Sequence, residues 1–149
     1  MPGDLFGALL VEQPGGALPA TLPRPSWLVL LGQPGSTIDT HSPGVPELLH
    51  WLRGQRPQAG QLQLLTVCAG AVLAAHAGLL DGRHATTHHH HLDELRAVAP
   101  RCEVVSNRVF VLDGAVSSSA GVTTGIDLFL HHIATVCGPA IAAQVAQSM

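Results

Sequence analysis

Lysine is absent from this chain of 149 residues, and all seven basic residues are arginine. Charged residues of either sign make up only 11%, and the net charge is −3 with neutral histidine. No basic cluster is present, which argues against direct nucleic-acid binding by this chain. Cysteine is also scarce: Cys68, Cys102 and Cys137 form an odd set with no close spacing. That excludes a disulfide framework and a zinc knuckle, and a reducing cytoplasm suits the chain best. The amino terminus lacks the positive region of a signal peptide. The longest apolar runs are broken by Gly, His or Pro and are too short to span a bilayer, so no membrane partner is expected. What is abundant is apolar material, at 46%. A packed core is therefore expected rather than disorder, and the length suits a single domain over residues 1–149.

The most informative stretch is 62–80. An apolar strand, Leu62–Val67, runs straight into Cys68, followed by Ala69, Gly70 and an apolar segment of helix length. This pattern predicts a sharp strand-to-helix turn with a thiol at its apex, where small residues let the backbone turn back at once. Amides at a helix N-terminus favour negative charge, so a thiol there tends towards thiolate. A lone cysteine in an apolar run is more often plain core than nucleophile. The order strand, Cys, small residue, Gly, helix raises the nucleophile reading to an equal footing.

Around this turn the chain reads as alternating strands and helices. Leu5–Val11 is a short candidate strand, and Gln13–Arg24 an irregular connection. Trp27–Leu31 is a continuous apolar run, as expected for a strand buried on both faces, and it ends in the turn Gly32-Gln33-Pro34-Gly35. Pro46–Arg53 opens with proline at a first-turn position and reads as a helix. Gly78 ends the elbow helix, and Asp81-Gly82 is a turn. Ala85–Thr87 reads as a short strand neighbouring the elbow. A helix carries Leu92, Leu95 and Ala99 on one face, and Pro100 ends it. Val104–Val105, Val109–Leu112 and Ala115–Ser118 are short strands, the last two joined by the hairpin signal Asp113-Gly114. Thr123–Val136 reads as an amphipathic helix that Gly138-Pro139 breaks. A last helix carries Ile141, Val145 and Met149. Buried strands alternating with helices predict a three-layer, flavodoxin-like α/β fold with a mostly parallel sheet. Ligands in such folds sit at the carboxyl ends of strands, where both the Gly32–Gly35 turn and Cys68 fall.

Ten histidines are present, and His84, His88, His89, His90 and His91 fall within eight positions. Four consecutive residues on a strand or helix cannot all face one ion, and no Cys or carboxylate stands at zinc-like spacing. No metal or other cofactor is therefore assigned, and adventitious nickel binding is the expectation. His76 reads as a satisfied core histidine. His131 and His132 read as facing solvent or a partner. His88 stands apart: at a strand's carboxyl end beside the elbow, it can reach the thiol of the adjacent strand.

Four segments together resemble the ThiJ/PfpI superfamily, which has the class I glutamine amidotransferase-like fold. They are Thr66-Val67-Cys68-Ala69-Gly70, Ala85-Thr86-Thr87-His88, Asn107 to Val111 with Asp113-Gly114, and Ser119-Ala120-Gly121-Val122-Thr123-Thr124-Gly125-Ile126-Asp127-Leu128. The resemblance covers about residues 26–149. Within it, the His-rich stretch after Thr-Thr and the segment from Gly138 to Met149 look most like the ligand-binding domain of AraC-type transcription regulators. Isonitrile hydratase-like hydro-lyases come next, and the elbow and Thr-Thr-His also occur in the deglycase and redox-chaperone branch. The resemblance implies that Cys68 matches the elbow cysteine and His88 the histidine near it. It also implies that amides of Ala69, and of Gly32 or its neighbours, match the oxyanion-binding amides; Gly35 and Gly70 belong to the same two turns.

Two departures from the family pattern stand out. The opening strand–helix unit, with its acidic residue bonded to the elbow cysteine, is missing, so no residue inherits the acid's role. Ala69 stands where the hydratase-like and regulator branches commonly have Thr or Ser, and Pro34 offers no amide. The implied function is a small-molecule-sensing regulatory domain with no DNA-binding domain of its own in this chain. The alternatives are a Cys-dependent hydro-lyase or hydrolase, and a redox-responsive module. The implied partners are an unidentified small molecule and a second copy of the chain, since a missing strand leaves an open edge.

Overall fold

A computed structural model describes residues 24–32 and 38–138, together with residues 18, 21, 22, 140 and 144. The two candidate elements at the ends, Leu5–Val11 and the helix beyond Pro139, lie outside the described residues apart from Ala140 and Gln144. The turn residues 33–37, with Pro34 and Gly35, also lie outside them.

The two apolar runs form the centre. Strand β1 (Ser26–Leu31) pairs in parallel with β2 (Leu62–Val67), with Ser26 opposite Leu62 and Leu31 opposite Val67. Between them, helix α1 (Val45–Arg53) makes the crossover. Glu47 in its first turn and His50 and Arg53 in its last suit the helix dipole, and Leu49 and Leu52, three apart, turn inward together. Helix α2 (Gly70–His76) leaves β2 through the elbow. Its Ala71, Val72, Ala74 and Ala75 are buried, and side chains this small let the helix lie close to the sheet.

Helix α3 (Leu92–Val98) is followed by the hairpin of β5 (Phe110–Asp113) and β6 (Val116–Ser119), and helix α4 (Val122–Cys137) leaves the end of β6. Gly114 holds φ +59° in the hairpin turn, a conformation that favours glycine. The main sheet has the order β1-β2-β6-β5, with β6 parallel to β2 and β5 antiparallel to β6. Leu28, Leu30, Leu62 and Leu64 share one core with Leu49 and Leu52 of α1, Ala71 of α2 and Leu95 of α3. The opposite face meets α4: the Trp27 and Phe129 rings lie 6.3 Å apart, and a Cβ at Gly125 would stand 3.1 Å from Val67 Cγ1. Helices thus cover both faces of a mostly parallel sheet, the three-layer α/β arrangement the sequence predicts.

One element departs from expectation. The segment read as a strand over Ala85–Thr87 is the two-residue β3 (His84–Ala85), and it lies outside the main sheet. It pairs in parallel with β4 (Glu103–Val104): the amides of Glu103 and of Val105, just after β4, donate to the carbonyls of Arg83 and Ala85. That ladder occupies β3, so Thr86 and Thr87 approach the main sheet through side-chain bonds instead.

Candidate active site

Strand β2 ends at Val67, and the chain turns at Cys68 with φ +57°. Among the described residues this is the only non-glycine residue with positive φ. A side chain there costs on the order of 1 kcal/mol, so the surroundings must impose the conformation. They do so from two sides. The Cys68 amide donates to the Ser119 carbonyl at 3.0 Å, and the Thr87 hydroxyl donates to the Cys68 carbonyl at 2.7 Å. Strain of this kind, held in place from outside, marks functional turns more often than plain core.

Two glycines complete the elbow. A Cβ on Gly70 would stand 2.1 Å from the Leu30 carbonyl oxygen, and one on Gly32 would stand 2.2 Å from the Gly70 nitrogen. The end of β1 therefore lies directly on the first turn of α2, backbone on backbone, and neither position tolerates a side chain. The expected juxtaposition of the Gly32 turn with the Ala69-Gly70 turn is present. The Gly32 amide, however, donates to the Val67 carbonyl at 3.0 Å and so extends the β1–β2 ladder. The Gly32 amide is thus engaged within the sheet.

The Thr-Thr-His segment reaches the elbow, with Thr87 making the link. Both threonines are buried; the Thr86 amide donates to Ser118 Oγ at 2.9 Å, beside the Thr87–Cys68 bond. His88 follows, half-buried, and its ring is engaged on its own side. Nδ1 accepts from the His90 amide at 3.2 Å, and the ring stacks on His89 with centroids 4.2 Å apart. Partial desolvation, then the neighbouring His89, His90 and His91, hold its imidazole below the usual histidine pKa. Cys68 itself is 2% exposed.

The remaining histidines fall into distinct environments. His91 is buried, with Nδ1 2.7 Å from Glu94 Oε1 and, among the described residues, no partner for Nε2. The other Glu94 oxygen accepts the Ile38 amide at 3.0 Å, which ties Ile38 to α3. His88, His89 and His90 each offer a ring nitrogen within 4.8 Å of the others. The four consecutive histidines do not all converge: His91 turns away, while a 3₁₀ turn (His89–His91) gathers the other three. His76, expected in the core, is only half-buried, at the end of the short α2.

His132 was expected to face solvent or a partner, and the structure turns it inward. Its Nε2 lies 3.1 Å from Ser117 Oγ, and its ring meets Trp27 edge-on at 5.7 Å. Burial first, and then His131, push its pKa down to about 4. It lines a cavity of about 490 Å³ with Trp27, Gln63, Ser117 and His131. Sequence reasoning missed this cavity because its walls come from four strands and one helix with no shared motif. It opens at the amino ends of β1 and β2, the opposite end of the sheet from Cys68. Ligands in open α/β sheets bind at the carboxyl ends, where the strained cysteine also sits, so the elbow remains the primary candidate. Of the other thiols, burial and then Asp81, Glu103 and Asp113 push Cys102 up to about 11. The Cys137 side chain lies outside the described residues.

Comparison with known proteins agrees with this geometry. The chain is 39% identical over 102 residues to the HTH-type transcriptional regulator CdhR of Pseudomonas aeruginosa, an alignment covering 68% of this chain and 30% of that protein. It is 42% identical over 79 residues to the isonitrile hydratase of Pseudomonas putida, covering 50% of this chain and 32% of the relative. The chain therefore spans about a third of the length of these relatives. Among solved structures, an AraC family transcriptional regulator from Pseudomonas putida superposes with a TM-score of 0.61 at 21% identity, covering 80% of this chain and 61% of that one, which supports the fold. The DJ-1/PfpI family profile matches residues 27–135, the span from β1 through most of α4. With the strained cysteine elbow, the paired glycines and this match, the chain belongs to the DJ-1/PfpI family.

Proposed function

We propose that this chain acts as a small-molecule-sensing regulatory domain of the kind that AraC-type transcription regulators carry, with the ligand received at the Cys68 elbow. The observation that carries this reading is the similarity to the regulator CdhR across two thirds of the chain. The elbow geometry supports it. A sensor needs a shaped, pre-organised turn, and the Gly32–Gly70 contact and the Thr87–Cys68 bond supply one. Turnover needs more: aligned proton transfers between the thiol, a base and the substrate. The His88 ring is instead held by the His90 amide and the His89 ring. Cys68, Ala69 and Gly70 line the receiving turn, with Gly32 facing them. The assembly proposed is a homodimer in the cytoplasm.

The second reading is a Cys-dependent hydration enzyme, favoured by the 42% identity to isonitrile hydratase over 79 residues. One pair of measurements separates the two. A metabolite library is screened by thermal shift against the wild-type chain, and against Cys68→Ser and Trp27→Ala. A stabilising compound whose effect survives Trp27→Ala and drops with Cys68→Ser, without being consumed, supports sensing at the elbow. Loss with Trp27→Ala alone moves the ligand to the 490 Å³ cavity. Cys68-dependent consumption of an isonitrile overturns the sensing reading in favour of the enzyme.

A further inference from the structure

The histidine run has no part in the elbow chemistry beyond His88, yet the fold gathers it. We propose that His88, His89 and His90 form a surface site for a divalent transition-metal ion of the zinc, nickel or copper class, with three imidazole ligands and solvent completing the shell. The grouping is a product of backbone geometry. A 3₁₀ turn has about three residues per turn and a steep rise, and this one follows directly on an extended residue, His88, at ψ 142°. The result is three rings gathered at one place: His88 and His89 stack with centroids 4.2 Å apart, and His90 meets both edge-on, at 4.1 Å from His89 and 4.9 Å from His88.

The ligand nitrogens lie within 4.8 Å of one another. Nitrogens at about 2.0–2.1 Å from a tetrahedral ion stand roughly 3.4 Å apart, so the rings need close by no more than about 1.4 Å. His89 and His90 are exposed, and rotation about their side-chain bonds supplies that movement without disturbing the core. The donor set selects the ion. Three neutral imidazoles suit zinc, nickel and copper, and they suit magnesium or calcium poorly. Both nearby carboxylates are engaged elsewhere, Asp93 with Arg96 at 3.2 Å and Glu94 with His91 and Ile38.

Binding has a stereochemical consequence. His88 Nδ1 now accepts the His90 amide. An ion on Nδ1 displaces that bond. An ion on Nε2 drives the ring proton to Nδ1, where it opposes the amide proton. Either way the ion replaces the bond that starts the turn, immediately after the threonine that holds the Cys68 carbonyl.

The test uses the tag-free chain of 149 residues and competition of Zn²⁺ and Ni²⁺ against a chromophoric chelator at neutral pH. One ion per chain is expected, with affinity falling at least tenfold in His89→Gln and again in the double variant His89→Gln/His90→Gln. His41→Gln, His50→Gln and His84→Gln should leave the affinity unchanged, as should an excess of Mg²⁺. Both altered side chains of the double variant are exposed, so its circular dichroism should match wild type. Unchanged affinity in the double variant, or an equal loss in His41→Gln or His84→Gln, overturns the proposal.

Discussion

The Thr87 hydroxyl donates to the Cys68 carbonyl oxygen at 2.7 Å, and this one bond joins the segment after β3 to the strained elbow after β2. Both residues are buried, so replacing Thr87 with the similarly sized Val removes the bond and leaves no water to take its place. Thr87→Val should cost about 1–3 kcal/mol in urea unfolding, and Thr87→Ser should restore most of it. Equal losses in both variants would mean that methyl packing, not the hydroxyl bond, holds the elbow.

The positive φ of Cys68 makes a second, less usual prediction. In a strand or helix, glycine is worse than alanine by about 0.5–1 kcal/mol. At φ +57° the order reverses, because glycine adopts this region without a steric penalty. Cys68→Gly should therefore be at least as stable as Cys68→Ala, by about 1 kcal/mol, when melting curves of the two are compared. A clear advantage for alanine would show that the left-handed conformation is not retained in solution.

Thiol reactivity separates the cysteines. The Cys102 thiol, pushed up to about 11, is almost wholly protonated at neutral pH and should resist alkylation until the solution is strongly alkaline. Iodoacetamide should label Cys68 before Cys102 and Cys137 in the folded chain, followed by mass spectrometry of peptides with Cys68→Ser as control. Faster labelling of either other cysteine would make Cys68 ordinary core.

His132 makes stability depend on pH. Its folded pKa, about 4, lies below the unfolded value of 6.5, so the unfolded chain binds the proton more readily. Stability from this group is complete above about 6.5 and is lost as pH falls towards 4, on the order of 1–2 kcal/mol for a ring that keeps some solvent contact. His132→Gln should flatten that slope, measured as unfolding free energy at pH 7 and at pH 4.5. An unchanged slope would place the protonation elsewhere.

Assembly is the last expectation. β1 ends the described sheet, and Leu31 and Ile126 are 45% and 40% exposed. An edge strand and apolar surface of this kind favour self-association. Light scattering at tens of micromolar should give a dimer mass or larger, and Leu31→Glu should shift it towards monomer. A monomer mass for the wild-type chain would contradict this.

Much of the fold was legible in the chain because its signals are local. The apolar runs at Trp27–Leu31 and Leu62–Val67, the Pro at the start of α1, the Asp113-Gly114 turn and the strand–Cys–Ala–Gly order each act within a few residues, where sterics and burial decide the conformation. Tertiary structure decided what depends on distant partners. The Thr87–Cys68 bond spans 19 residues and the His132–Ser117 bond 15, so no local pattern announces either one. The same holds for β3, which reads as a neighbour of the elbow strand and instead pairs with β4. The grouping of histidines 88–90 was not legible for a related reason: helix and strand periods send successive side chains apart, whereas the short 3₁₀ turn brings three together and buries the fourth against Glu94. The sequence by itself determined where the chain bends and which residues stand at the bend. Which side chains meet there was settled only when the crossovers brought remote segments to the same end of the sheet, since a hydrogen bond exists only where packing puts donor and acceptor within about 3 Å.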